Sequence, residues 1–236
     1  MIIENTLLII AFAGLLHASF QLGMSLLTLL SGHSLGAGKS YRRLMQLNLA
    51  YLFGAALITI LLLTSLGYII EFFYSDLRSL WLIAALINIV IGISVTIFYY
   101  RRGTGTGLWI PRPMALYLVD RTKKTKHSAE AFTLGAGSIL AEIPFLVGPL
   151  SVAILYIISS ETNASLQLSS LIAYSIIGLL PLIVITTLVG AGHKISTIQH
   201  WREDNKLFLQ YCAGSGLIIL GAFVLVDQVI GGKVLL

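Results

Sequence analysis

Long apolar stretches alternate with short polar segments along the whole chain. Six of these stretches have about the 20 apolar residues that an α-helix needs to cross a bilayer. The predicted spans are 6–30, 44–70, 79–100, 130–158, 166–190 and 207–230. The pattern therefore predicts an all-α polytopic membrane protein with six transmembrane helices.

The composition agrees with this class of protein. Of the 236 residues, 57% are hydrophobic and 11% are charged, and the mean hydropathy is +0.91. A soluble domain of this size carries more charge. The first residues contain Glu4 and neither Lys nor Arg. Their charge favours a first transmembrane helix over a cleaved signal peptide.

The basic residues indicate the topology. The net charge is +5 and the pI is about 9.4, but 13 of the 15 Lys and Arg residues lie in the segments that follow spans one, three and five. Positively charged loops stay in the cytoplasm, so these segments are predicted to be cytoplasmic and both termini to lie outside. We therefore expect a multi-pass protein of the cytoplasmic (inner) membrane that contacts membrane lipid and binds no nucleic acid.

The fourth span carries the clearest functional signal. Glu142 lies near its middle and is followed by Pro144, Gly148 and Pro149. Proline removes a backbone hydrogen bond from a helix, and a carboxylate at membrane depth is costly unless it faces protein or a water-filled cavity. The combination predicts a discontinuous helix four that lines a transport site. The alternative is a protonated, structural Glu142 that bonds a carbonyl freed by one of the prolines.

The first span repeats this pattern at an offset of 125 residues, measured between Gly23 and Gly148. The same offset aligns two further pairs, Phe20 with Phe145 and His17 with Glu142. The sequence therefore places two polar centres at equivalent positions of two halves.

Similar offsets relate the remaining spans. Shifting span two by 123 residues places Tyr51 on Tyr174, and shifting span three by 129 places Gly92 on Gly221. Each half then holds three spans, so the second half must be inverted in the membrane. The predicted organisation is a first repeat at 1–100, a basic cytoplasmic linker at 101–128 and a second repeat at 129–236. Six generic helices without a repeat are the alternative.

The candidate site combines polar groups and helix-breaking residues from spans one and four. Glu142 and His17 are the candidate proton carriers or ligands, because a carboxylate and an imidazole both exchange protons. The full set of predicted substrate- or proton-binding residues is Glu142, His17, Gln21, Ser19, Pro144, Gly148, Pro149 and Gly23. For His17 and Ser19, ordinary hydrogen bonding between helices is the alternative.

Metal sites and cofactors are not expected, and neither is catalysis. No HxxxH or ExxH spacing occurs, and His33 lies in the loop after span one, far in depth from His17. Cys212 is the single cysteine, which excludes a two-thiol redox mechanism within the chain. Ser19 is two residues from His17 and cannot face it on a regular helix, which disfavours a hydrolase.

The layout resembles a superfamily of small six-helix membrane proteins that includes the LysE-type amino-acid exporters, the TerC-like proteins and the CcdA and DsbD transmembrane domains. The resemblance covers essentially the whole chain. It is carried by AEIPFLVGP in span four, HASFQLGMS in span one, the basic loop between the halves and the ending FLQYCAGSGLIILGAFVLV. It implies a 3+3 inverted repeat in which discontinuous helices one and four meet near the midplane. CcdA-type members are similar in having a proline-flanked cysteine in spans one and four, where this chain has His17 and Glu142, so electron transfer does not carry over.

Two functions stay open. The first is a secondary transporter of a small solute or ion, by resemblance an exporter, with alternating access around a site between helices one and four and with proton coupling through Glu142 or His17. The alternative is a thiol-independent accessory or scaffold protein, or a redox-partner subunit related to CcdA-type proteins. Small residues along span one would allow a homo-oligomer.

Overall fold

The computed structural model describes residues 2–20, 22–36, 41–73, 76–98, 112–159, 164–191 and 195–231. Within these ranges the regular structure is helical and contains no strand. The helices are α1 (Ile2–Ser19), α2 (Leu22–Gly36), α3 (Tyr41–Phe73), α4 (Leu77–Phe98), α5 (Arg112–Lys124), α6 (Ser128–Ser159), α7 (Ala164–Gly178), α8 (Leu180–Gly190), α9 (Ile195–Asp204) and α10 (Lys206–Val224). A π-helical turn at Leu225–Ile230 continues α10.

Four of the described helices, α3, α4, α6 and α10 with its π-helical turn, are long and apolar enough to cross a membrane. Two further pairs meet at sharp bends, α1 with α2 at 50° and α7 with α8 at 55°. The number of candidate spans is therefore four, or six if each bent pair is one span. The prediction of an all-helical, multi-pass membrane protein is confirmed at this level.

The helices differ in how far they are enclosed. Large apolar side chains such as Leu8, Phe53 and Val90 are exposed, as contact with lipid requires. Of the apolar window of α6, 61% is buried, against 28% for α3 and 33% for α4. Helix α6 is therefore the central element, and its polar residues are the ones best shielded from lipid.

Glycines bring the helices into backbone contact. Helix α3 packs on α6, where Gly135 lies against the carbonyl of Tyr51. Helix α4 packs on α10, where a Cβ atom on Gly92 would lie 2.7 Å from the carbonyl oxygen of Gly214. Backbone atoms cannot rotate aside, so a larger residue at these glycines would force the helices apart.

The predicted break in span four is wrong. Helix α6 runs from Ser128 to Ser159 with Pro144 and Pro149 inside it. Each proline removes one donor from the helical ladder, but the loss of a single bond does not end a helix whose two sides are fixed by neighbouring helices. The central position of α6 supplies that packing.

The interruptions fall in spans one and five. Span one breaks after Ser19 and resumes at Leu22, as predicted for helix one. Span five breaks at Leu179, and Pro181 lies in the first turn of α8. Proline is favoured at this position because its missing N–H and fixed φ suit a helix start. The proline of span five therefore marks the second break better than the prolines of span four.

The described part of the basic linker includes α5, which packs on α2 and α6. Leu118 and Thr122 are buried in this contact, and Leu116 and Tyr117 are exposed. The predicted boundary after residue 100 lies outside the described residues. The division into two repeats and a linker therefore stays a prediction.

Candidate functional site

The site forms where α2 begins, at the break in span one. The first N–H groups of a helix have no partner within the helix, and they carry a partial positive charge. Glu142, which is 4% exposed, meets them from α6. Its Oε1 accepts hydrogen bonds from the backbone N–H of Leu22 and from that of Gly23, the latter at 3.1 Å. The break thus turns a helix end inside the protein into a carboxylate site.

Tyr51 braces the same helix end from α3. Its hydroxyl donates a hydrogen bond of 2.9 Å to the carbonyl oxygen of Gly23. The backbone of Gly23 is therefore held on both sides, its N–H by Glu142 and its carbonyl by Tyr51. Tyr51 is fully buried, so this hydrogen bond is shielded from lipid and from bulk water.

His17 lies at the end of α1 against the break in span five. The side chain is 3% exposed, and its Nδ1 lies 3.2 Å from the hydroxyl of Tyr174 on α7. A Cβ atom on Gly178 would lie 2.8 Å from the same Nδ1, so the absence of a side chain there makes room for the imidazole. Span five therefore positions His17 much as span two positions Gly23.

A cleft of about 260 Å³ joins these two centres. His17, Gly23 and Glu142 line it from one side, and Gly178 and Pro181 line it from span five. Phe20 also lines the cleft and stacks on Phe145, with ring centroids 5.6 Å apart. The polar groups of spans one and four thus share a space with the break in span five.

A buried cation lies near this centre. Arg202 on α9 is 2% exposed, and its Nη2 donates a hydrogen bond of 2.9 Å to the hydroxyl of Ser25 on α2. Its positive charge also interacts favourably with the carboxylate of Glu142. Sequence reasoning counted Arg202 as a topology marker, since nothing in the loop sequence indicates that its side chain turns inward.

The predicted site residues divide into three groups. Glu142, His17 and Gly23 line the cleft. Ser19, Pro144, Gly148 and Pro149 lie elsewhere: the Ser19 hydroxyl donates to the Leu16 carbonyl of its own helix, Pro144 is exposed, and Gly148 and Pro149 are buried, with Gly148 packed against Asn88. Gln21 lies outside the described residues.

Sequence reasoning missed the two tyrosines as site residues. Tyr51 and Tyr174 were aligned as repeat markers, at the offset of 123 residues. Their shared position next to an alanine was the available signal, because a buried tyrosine needs a hydrogen-bond partner for its hydroxyl. Within the described residues no group of three or more His, Cys, Asp or Glu side chains is arranged to hold a metal ion.

Comparison of the chain with family models, curated proteins and solved structures finds no match. The chemistry of the site is therefore the basis for function. It combines a carboxylate, an imidazole, two phenol hydroxyls and a nearby guanidinium, all buried within a helical bundle. Such a set can bind a small polar ligand and exchange protons with it.

Proposed function

We propose that the protein is a secondary transporter, an exporter by the resemblance, that moves a small solute or ion across the cytoplasmic membrane through the cleft at Glu142 and His17. The observation that carries the proposal is the carboxylate of Glu142 on the free N–H groups of α2. Ionisable groups deep in a membrane protein usually serve transport, and broken helices at that depth usually form its binding site.

Reciprocal contacts between α4 and α10 support an inverted repeat. A Cβ atom on Gly92 would lie 2.7 Å from the carbonyl oxygen of Gly214 and 2.8 Å from the side chain of Ile218. A Cβ atom on Gly221 would lie 2.7 Å from the carbonyl oxygen of Ala85 and 2.8 Å from the side chain of Ile89. Subtracting the offset of 129 residues turns Gly221 into Gly92, Gly214 into Ala85 and Ile218 into Ile89. The two sets of contacts are thus related by exchange of the halves, as a two-fold axis between α4 and α10 requires.

Phe20 and Phe145 support the same axis. They are equivalent at the offset of 125 residues, and they stack on each other beside the cleft. Equivalent residues of two repeats touch only near the axis that relates them. A cleft beside this axis is the position from which two inverted halves alternate access by rocking.

We infer proton coupling because Glu142 and His17 border one cleft and each can carry a proton. The sequence contains no P-loop pattern to bind ATP phosphates, which leaves an ion gradient as the energy source. The distribution of Lys and Arg supports termini outside and the basic segments in the cytoplasm.

The test is flux in proteoliposomes that contain a pH-sensitive dye, with small organic and inorganic solutes supplied one at a time. Wild type is compared with Glu142→Gln and His17→Ala. Glu130→Gln is the matched control, because Glu130 is on the same helix and also accepts backbone N–H bonds, from Lys126 and His127, but is exposed.

We expect a solute-dependent proton flux that Glu142→Gln abolishes and Glu130→Gln leaves unchanged. Flux that survives Glu142→Gln would refute a transport role for this carboxylate. If no solute moved, and if a variant of the basic linker but not Glu142→Gln lost the cellular phenotype, the scaffold alternative would replace the proposal.

A further inference from the structure

The N-terminus of α2 already holds a ligand, which is the protein's own carboxylate. Glu142 reaches it from a helix 120 residues away in the chain, and it bonds two successive N–H groups. Helix N-termini favour negative groups because the free N–H donors and the helix dipole both point at them. The geometry therefore fits the oxygen atoms of a carboxylate, whichever molecule supplies them.

His17 supplies a second, independent indication of a ligand. It lines the same cleft and is 3% exposed. Nδ1 is its only ring nitrogen with a hydrogen-bond partner among the described residues, namely the hydroxyl of Tyr174. A buried imidazole nitrogen without a partner is costly unless a ligand or water meets it. Nε2 is thus available to a molecule in the cleft.

The charges around the cleft favour a negative molecule. Glu142 is the one acidic side chain among the residues that line it. The titratable or charged groups near Glu142 are His17 on α1, Tyr51 on α3, Tyr174 on α7 and Arg202 on α9. Without the charge of Glu142, the site would keep a guanidinium, an imidazole and a helix N-terminus, and would lack a counter-charge.

We propose that the cleft binds a small oxyanion, whose oxygen atoms replace those of Glu142 on the N–H groups of Leu22 and Gly23. This inference rests on the proposed transport function and names the class of its substrate. Two negative charges cannot share the site, so Glu142 takes one proton from the solution as the anion enters. Anion and proton then occupy the protein together, and each leaves when Glu142 returns to α2.

The size of the cleft limits the anion. A volume of about 260 Å³ corresponds to about eight water-sized groups at roughly 30 Å³ each. Short carboxylates and inorganic oxyanions such as nitrate or phosphate are within this limit. Both sources offer the same oxygen atoms to the N–H groups, so the experiment must distinguish them.

The test uses the full chain, purified in detergent, and isothermal titration calorimetry with the sodium salts of formate, acetate, nitrate and phosphate at constant ionic strength. Chlorides of potassium, magnesium and methylammonium form the cation arm. Repeating each titration in two buffers of different ionisation enthalpy gives the number of protons taken up. The variants are Glu142→Ala, which vacates the α2 N-terminus, and Glu142→Gln, which keeps the side-chain shape.

We expect wild type to bind one class of anion with uptake of about one proton. Glu142→Ala should bind the same anion at least tenfold more tightly and without proton uptake, because no internal carboxylate competes. The same anion should raise the thermal unfolding temperature of Glu142→Ala more than that of wild type. Glu130→Ala also loses a carboxylate that accepts backbone N–H bonds, but at an exposed site, so no such anion effect is expected there.

If Glu142→Ala does not fold, Glu142→Gln decides, since the inference requires it to bind the anion without proton uptake. Anions that bind no variant better than chloride does would overturn the inference. Cation flux that depends on Glu142, with no anion binding, would overturn it and leave the transport proposal intact. Anion binding without any flux would support the site and refute transport.

Discussion

Replacing Gly135 with alanine is expected to loosen α6 from α3, whereas the same change at Gly137 is expected to be harmless. A Cβ atom on Gly135 would overlap the carbonyl of Tyr51, which is backbone and cannot rotate aside. A Cβ atom on Gly137 would meet only Leu118 Cδ2, at 4.0 Å, which is ordinary van der Waals contact. The two glycines lie on one helix, so the pair isolates the effect of the close approach.

The expected magnitude follows from two opposing effects. Alanine favours a helix over glycine by about 1 kcal/mol at either site. Overpacking typically costs about 1–3 kcal/mol, and the overlap at Gly135 calls for the upper end because only separation of the two helices relieves it. Gly135→Ala should therefore lower the free energy of unfolding by about 2 kcal/mol, and Gly137→Ala should raise it by up to about 1 kcal/mol. The difference corresponds to roughly a hundredfold in the unfolding equilibrium.

The assay is reversible unfolding in mixed micelles with an increasing fraction of SDS, followed by circular dichroism. Flux should fall with stability in Gly135→Ala, because Gly135 lies two helical turns before Glu142 on the same face of α6. Equal unfolding midpoints for the two variants would refute the reasoning, since they would show that α3 and α6 do not approach each other at Gly135.

Two further predictions concern other elements. Gly178→Ala should reduce flux strongly and stability little, because its Cβ atom would press on Nδ1 of His17 from 2.8 Å. Gly32→Ala, where no atom lies within 4 Å, should behave as wild type in the same flux assay. Hydrogen bonds from the hydroxyl and backbone N–H of Ser79 hold the pKa of Asp76 below its ordinary value of 3.8. Its contribution to stability should be complete above that value and lost as the pH falls through the folded pKa, and Asp76→Asn should remove this pH dependence while keeping the cap. Unfolding midpoints measured from about pH 6 to about pH 3 provide the check.

The class of fold was predictable from the sequence because long apolar runs have few other uses. Helices α3, α4, α6 and α10 follow from length and hydropathy alone. The positions of the breaks were harder to predict. The pair Pro144 and Pro149 suggested a break in span four, and the single Pro181 received less weight. Tertiary packing decided the outcome, since α6 is enclosed on most sides and span five is not.

The site was predictable in part for a similar reason. Glu142 and His17 stand out because ionisable residues are rare in apolar segments. Tyr51 and Arg202 do not stand out, because tyrosine is common in spans and arginine is common in loops. Their roles depend on side-chain direction across the bundle, which a single sequence does not encode locally.

The contacts of His17 and Glu142 are crossed between the two predicted halves. His17, in the first half, is held by Tyr174 of the second, and Glu142, in the second half, is bonded to the backbone of Gly23 in the first. The offsets would have allowed His17 and Glu142 to pair directly, but each instead depends on an element of the opposite half. A rocking of one half against the other would therefore strain both contacts in one step. A substrate oxyanion that takes over the bond to Gly23 would remove one of the two contacts before the halves move. Substrate binding would then lower the barrier to rocking, which is the property that couples occupancy of the site to alternating access.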